Sequence, residues 1–360
     1  MTRATVISLC AMVLAGATSA AAQLVPPAEI GRTTVEEAPA GSLTPTPVLL
    51  AQSQSQAPRA APPRRRRPTY VGYIEDALVQ SNFRVRFDAA TGNTVPDRAE
   101  FFYAKCGCYA GSGLLGNPAF DPNAPGPGPG AADDIKFQQL YLEGEVVVAP
   151  RLSLLAQVPL RFLQPQSFIP GTGGPFDNQS GLGDIRGGAK LAFVDSPTTI
   201  ATVKAQVYFP SGANDKGLGT DHFSFEPSVL MLNELSDRFS LESQFGVWLP
   251  IGGADPNPTN GDGHFAGRLF YYGIGPSFTV YETTRTRLAP VVELVGWHVL
   301  DGNQTSATGS PEADGTNIVN LKIGARFFVD KGSFYAGYGH AITDAAWYTD
   351  IVRFEYRYSF

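Results

Sequence analysis

The sequence predicts an all-β protein: a transmembrane, antiparallel, up-and-down β-barrel of about 12 strands, preceded by a disordered N-terminal periplasmic segment. Three observations predict this fold. The last ten residues alternate apolar and charged side chains, similar segments recur along the chain, and short and long connections between them alternate strictly. After residue 22, no apolar stretch approaches the roughly 18 residues that a membrane-spanning helix needs. Only a closed barrel then satisfies every backbone group in lipid.

The composition limits the class of protein. The chain has 360 residues, of which 17% are charged and 43% hydrophobic, and its net charge is -6. A mean hydropathy of -0.07 is too polar for a bundle of membrane helices. No phosphate-binding loop precedes a helix, and nothing in the sequence indicates nucleic-acid binding.

The first 22 residues have the pattern of a cleaved export signal. Arg3 supplies the positive start, 4–15 the mainly apolar run, and Ala20–Ala22 a small-residue cleavage site before Gln23. We therefore expect the mature protein to leave the cytoplasm and to reside in the outer membrane.

Residues 23–69 are expected to form a disordered periplasmic linker. The segment is rich in Pro and Ala, contains no aromatic residue and includes the basic run Arg64–Arg67, so it cannot bury enough apolar area to offset its ordering entropy. Its arginines can contact phosphate head groups or cell-wall material, or the segment can be a passive linker.

The barrel is expected over residues 70–360. Segment 71–79 fits either a short helical turn or a plug-like lead-in. The first strand is predicted at 82–88, where Arg84 and Arg86 oppose apolar residues on the other face.

A long irregular stretch, 89–134, follows the first strand and includes a Pro- and Gly-rich run at 122–130. A structureless loop of this length is unusual in a compact soluble domain. In an outer-membrane barrel, long outer loops are expected.

The other strands follow from the same alternation, although it is weaker in the eighth and ninth. Short turns join them in pairs, and long polar loops separate the pairs, so both ends of the barrel domain are expected on the short-turn side. The predicted strands are 140–148, 152–162, 185–193, 201–209, 223–231, 239–249, 264–282, 287–300, 319–329, 334–338 and 351–360.

The polar faces of these strands predict a charged lumen. Such charges can line a water-filled path for a solute, or they can pair into an occluded interior. The ten basic and six acidic residues counted on these faces leave a basic surplus that favours anions. The predicted lumen-lining residues are Arg84, Arg86, Glu143, Glu145, Arg161, Asp184, Arg186, Lys190, Lys204, Glu226, Glu242, Lys322, Arg326, Arg353, Glu355 and Arg357.

The final strand carries Phe354, Tyr356, Tyr358 and Phe360 on one face. This pattern resembles the C-terminal targeting strand of bacterial outer-membrane β-barrels. The resemblance implies recognition by the barrel-assembly machinery, followed by closure beside the first strand. The alternative is an ordinary amphipathic edge strand that ends the chain.

A second resemblance lies in the stretch 180–190, which begins Ser180-Gly181-Leu182-Gly183-Asp184 and continues with alternating small and basic residues. It is similar to the outer-membrane transporters named after the meta-cleavage pathway of phenol degradation. The resemblance implies passage of a small solute, aromatic or hydrophobic, and no catalytic residue. The glycines would let a bulky residue or a loop approach the wall, with Asp184 facing inward.

Other candidate sites are weaker. Cys106 and Cys108 are the only cysteines after the signal, which favours a local disulfide, and no His lies near them to complete a metal site. His222 and Ser224 share a strand face, as a base and a nucleophile would, but no further partners of such a site follow.

We expect no enzyme, no cofactor and no metal. The expected partners are outer-membrane lipid, the assembly machinery and a small-molecule solute. The function predicted is a narrow channel for passive uptake of small solutes. The alternative is a structural or surface-display barrel with an occluded lumen.

Overall fold

The structure, a computed structural model, describes residues 68–95, 127, 130, 132–170, 174–220, 222–251, 267–302 and 312–360. The predicted signal peptide, nearly all of the predicted linker, and Cys106 and Cys108 lie outside these residues.

Twelve long strands form the barrel wall, which confirms the predicted number and fold class. They are β1 (Asn82–Asn93), β2 (Ala132–Ala149), β3 (Leu152–Phe168), β5 (Arg186–Asp195), β6 (Thr199–Tyr208), β7 (Phe223–Glu234), β8 (Phe239–Ile251), β9 (Leu269–Phe278), β11 (Thr286–Val299), β12 (Asn317–Val329), β13 (Gly332–Ala341) and β14 (Asp350–Ser359). Two short pieces complete the sheet: β4 (Gln179–Leu182) pairs with β3, and β10 (Tyr281–Glu282) pairs with β11.

Each long strand pairs with its neighbours in the chain, and the ring closes where β14 meets β1. Asn82 lies opposite Ser359 at one end of this seam, and Thr91 lies opposite Asp350 at the other. The final strand therefore closes the barrel beside the first, as the resemblance implied.

The wall is apolar outside and polar inside because side chains alternate along each strand. On β14, the outward Phe354 is 57% exposed, whereas the inward Glu355 is 3% exposed. Among the described residues, no helix is both long and apolar enough to cross a membrane.

The two ends of the barrel differ as predicted. One end, the short-turn end, carries the tight connections at 150–151, 235–238 and 330–331, and both Asn82 and Ser359 lie there. The opposite, long-loop end carries the longer connections.

Strand β2 begins eight residues earlier than predicted, at Ala132. At its start, Ile135 and Phe137 face inward and are buried, while Lys136 is exposed. The apolar residues therefore face inward at the start of β2, and the amphipathic pattern there has the opposite sense to the expected one.

The segment Thr69–Gln80 lies inside the barrel, and we call it the plug. It contains no helical turn, and its residues Tyr70, Val71, Ile74 and Ala77 are at most 2% exposed. Of the two structures that fit 71–79, the structure therefore shows the plug.

Candidate functional site: a plugged lumen

All the charged residues predicted to line the lumen lie on the inner side of the wall. Fourteen of them are buried, and Arg186 and Glu226 are half-buried beside a cavity. Most are engaged with one another or with the plug. In the described part of the chain, the lumen charges are therefore mostly paired.

Two glutamates of the wall hold the plug backbone. The Glu242 carboxylate accepts hydrogen bonds from the Thr69 hydroxyl and from the backbone N–H groups of Tyr70 and Val71. Glu293 accepts from three successive N–H groups, those of residues 72–74, at 2.7–3.0 Å. Buried backbone donors need such acceptors, and here charged side chains replace a neighbouring strand.

The plug carbonyls are bound by cations and a hydroxyl from other strands. Arg326 donates to the carbonyl oxygens of Tyr70 and Val71 at 3.3 and 2.6 Å. Arg353 donates to the carbonyl of Gly72 at 2.6 Å. Thr202 donates to the carbonyl of Ala77 at 2.6 Å. Among the described residues, no backbone-to-backbone hydrogen bond joins the plug to the wall, and the bonds that hold the plug there involve side chains.

The plug brings two carboxylates among the lumen cations. Asp76 lies 2.6 Å from Arg357 and 3.3 Å from Lys190. Burial alone would raise the pKa of Asp76, but these two cations outweigh it and lower the pKa to about 2. For Glu75, burial also opposes ionisation, but Lys204 and Arg84 hold its pKa well below the usual range. Both groups are therefore ionised at neutral pH.

Glycines on the inner face of β9 make room for the apolar side of the plug. A Cβ at Gly275 would lie 2.7 Å from the Val71 side chain, and one at Gly273 would lie 2.9 Å from Ile74. A side chain at either position would force the Val71 or Ile74 side chain to move. The plug is therefore fitted to this wall by shape as well as by charge.

A cavity of about 260 Å³ lies on the long-loop side of the plug. Tyr73 and Glu75 of the plug border it. Its other lining residues include Arg86, Arg186 and the three tryptophans of the chain, Trp248, Trp297 and Trp347. The plug thus separates an aromatic, basic cavity from the short-turn end.

Asp184 fastens a loop from the long-loop end. Its carboxylate accepts hydrogen bonds from the Gly212 N–H at 3.0 Å, and from the N–H and hydroxyl of Thr220 at 2.9 Å each. A Cβ at Gly181 would lie 2.9 Å from the Leu218 side chain of this loop. The expectation that the glycines allow a loop to approach the wall agrees with this contact.

Four lumen carboxylates were missed by sequence reasoning. Asp88 and Glu293 are at most 3% exposed on the inner face, and Glu75 and Asp76 arrive with the plug. These four acids cancel the basic surplus of four counted from the strand patterns, so that predicted surplus is wrong for the lumen as a whole. The alternation of the first strand does indicate one of these acids, since Asp88 shares the inward face of Arg84 and Arg86.

His222 and Ser224 both lie on the inner face at the start of β7, 3% and 0% exposed. The His222 ring packs against Trp248 with 5.8 Å between ring centroids. The structure therefore places this pair in the aromatic lining of the lumen.

A closed wall of twelve antiparallel strands, apolar outside and charged inside, defines an outer-membrane β-barrel. Residues 137–349 match the model of a family described as "Putative MetA-pathway of phenol degradation", and the chain belongs to that family.

Several solved structures are similar to this chain. An outer membrane channel from Pseudomonas putida F1 shares 15% identity over 81% of this chain and 99% of its own, with a TM-score of 0.48. The NanC porin shares 6% identity over 77% of this chain and 100% of its own, with a TM-score of 0.42. A FadL homologue from Pseudomonas aeruginosa shares 14% identity over 78% of this chain and 90% of its own, with a TM-score of 0.36. A search of curated proteins found no match.

Proposed function

We propose that the chain is a gated outer-membrane channel for passive uptake of small solutes, including aromatic and hydrophobic ones, and that the plug is its gate. One observation carries the proposal: the plug lies inside the barrel, yet no backbone-to-backbone hydrogen bond among the described residues joins it to the wall. Withdrawal of the plug would therefore leave the strand pairing of the wall intact. The family description, which names phenol degradation, supports an aromatic solute.

The alternative function is a structural or surface-display barrel whose lumen stays closed. The many hydrogen bonds and ion pairs between the plug and the wall favour this alternative. Three arginines each bind both a plug group and a lumen carboxylate: Arg326, Arg353 and Arg357. Because buried ion pairs are costly to break, a plug bound this way could be permanent. The two functions differ in whether the lumen conducts.

The test is single-channel recording of the purified full-length protein and of a variant carrying Glu242→Gln and Glu293→Gln. Each substitution replaces a carboxylate that accepts three hydrogen bonds from the plug with an amide, which is a weaker acceptor. We expect each to favour the open state by about 1.4 kcal/mol or more, which is about tenfold in the opening equilibrium.

The matched control is Glu282→Gln. Glu282 is exposed at the short-turn end and pairs with Arg287, and no hydrogen bond among the described residues joins it to the plug. Its replacement should leave the openings unchanged. If the doubly substituted barrel folds and never conducts, the structural function is correct and the gated channel is wrong.

A further inference from the structure

The cavity beside the plug differs from the rest of the lumen in how its cations are paired. Deeper in the lumen, cations have a carboxylate oxygen at hydrogen-bonding distance, for example 2.8 Å for Arg326 and Glu355 and 2.9 Å for Lys190 and Glu145. Those charges are compensated, and they leave little capacity for another anion.

Three neighbouring cations at the cavity, Arg86, Arg186 and Lys204, lack such a partner. The nearest carboxylate oxygens to Arg86 lie 3.9 Å away, and those to Lys204 lie at 3.8 and 4.0 Å. Within the described part of the chain, Arg186 forms no ion pair, and the buried Nε atoms of Arg86 and Arg186 have no hydrogen-bond partner. Guanidinium donors left unsatisfied in a low-dielectric site favour an anion that accepts from them.

The carboxylates that line the cavity do not fill this role because other donors already bind them. Asp88 accepts two hydrogen bonds from Arg353, and Asp184 accepts three from the loop. Glu226 accepts from the hydroxyls of Tyr208 and Tyr271. The fourth, Glu75, lies 3.4 Å from Arg84.

Aromatic rings hold the two arginines in place. The Arg86 guanidinium carbon lies 4.0 Å from the centroid of the Tyr141 ring, and that of Arg186 lies 5.7 Å from the same centroid. Arg186 also lies 4.4 Å from the Tyr208 centroid, and Tyr208 meets Trp248 edge to face at 6.4 Å. Two like charges therefore flank one ring, next to an aromatic wall.

We propose that this cavity binds a monocarboxylate carrying a single aromatic ring. Its carboxylate lies among Arg86, Arg186 and Lys204, and its ring lies against the aromatic wall at Tyr208 and Trp248. A guanidinium binds a carboxylate through paired hydrogen bonds, and a volume of about 260 Å³ suits one ring rather than two. The site defines a class of solute for the proposed channel. Its role in solute uptake rests on the proposed channel function.

The chain provides its own reporter for this site, since all three of its tryptophans line the cavity. The full-length barrel in detergent is titrated with sodium benzoate while tryptophan fluorescence is followed. Benzamide serves as the neutral aromatic comparison, and cyclohexanecarboxylate as the anion without an aromatic ring. We expect saturable binding of benzoate, at least tenfold tighter than that of either comparison compound.

The variant that tests the anion site is Arg186→Gln, which should weaken benzoate binding at least tenfold and leave benzamide binding unchanged. The matched control is Arg268→Gln: Arg268 is an exposed arginine at the long-loop end, paired with Asp301. A variant has folded if its unheated form migrates faster on SDS gels than its boiled form. If Arg186→Gln does not fold, Lys204→Gln takes its place with the same expected loss.

Absence of saturable benzoate binding would overturn the proposal, as would equal binding of benzamide or an equal loss in Arg268→Gln. Benzoate binding in a barrel that never conducts would keep the site and reject the channel. Conductance without benzoate binding would keep the channel and reject the site.

Discussion

Arg353 binds Asp88 through two hydrogen bonds, of 2.6 and 2.7 Å, across the seam where β14 closes against β1. The same guanidinium donates to the carbonyl of Gly72 in the plug at 2.6 Å. One side chain thus joins the closure of the barrel to the position of the plug. Because Arg353 lies on the last strand, its bond to the plug can form only once that strand is in place.

This relationship predicts a coupled loss of stability. Arg353→Gln should lower the stability of the folded barrel by about 3–5 kcal/mol, since it leaves a buried carboxylate without its main partner. Combining it with Asp88→Asn should cost less than the two single changes added together. The temperature at which the folded band disappears from SDS gels measures both effects, and strict additivity would contradict the pairing.

The plug should also respond to acid. The pKa of Asp76 is lowered to about 2 in the plugged state. Ionised Asp76 therefore contributes its full stabilisation of the plugged state at pH values above its ordinary pKa of about 4. That stabilisation is lost as the pH falls from about 4 through about 2, and Asp76 is protonated in both states only below that. We therefore expect more frequent opening below about pH 4 than just above it.

The control for this acid response is Asp76→Asn, which should open more often at neutral pH and respond less to acid. Opening that begins near neutral pH in the unaltered protein, and persists in this variant, would assign the pH dependence to another group.

Asp184 should govern the loop that it fastens. Asp184→Ala removes the acceptor of three hydrogen bonds, and we expect faster trypsin cleavage after the exposed Lys216 of that loop. Asp215→Asn, at an exposed position in the same loop, is the control and should be cleaved as the unaltered protein is. Unchanged cleavage in Asp184→Ala would show that other contacts hold the loop.

The final strand should be essential for insertion. Tyr358 and Phe360 are 41% and 64% exposed on the outward face. Replacing both with Asp puts charge on the lipid side, which costs up to about 2–4 kcal/mol per residue near the bilayer midplane and less toward its surface. It also removes the pattern that resembles an assembly signal. We expect periplasmic aggregate, and normal surface exposure of the variant in whole cells would contradict both reasons.

The wall could be predicted from the sequence because lipid outside and polar groups inside impose a period of two on most strands. The ninth predicted strand shows where that rule fails. In β11, the inward residues Ala289, Val291 and Val295 are apolar because they face the interior beside the plug, and the outward Val292 is apolar because it faces lipid. Because both faces of this strand are apolar, the one inward charge, Glu293, is not enough to produce an alternation of apolar and polar residues.

The plug itself left no periodic signal. Its backbone groups are bound by side chains from separate strands, among them Glu242, Glu293 and Arg326, and nothing in residues 69–80 encodes those distant partners. The pairing of Arg353 with Asp88 likewise joins residues that are far apart in the sequence. The residues and charges of the cavity could not be predicted from the individual strands either, because they depend on which lumen charges the plug neutralises.

The most direct test of the plug as a gate is to fasten it to the wall with a removable bond. An ideal Cβ at Gly273 lies 2.9 Å from the Ile74 Cγ1 atom, so cysteines at both positions lie within disulfide reach. The variant carries Ile74→Cys and Gly273→Cys, with Cys106 and Cys108 replaced by Ser, and is recorded in a bilayer before and after reduction. We expect no openings while the bond is intact, and openings after reduction like those of the parent that lacks both introduced cysteines. Equal conductance in the oxidised and reduced states, or silence in both, would contradict the plug as a gate.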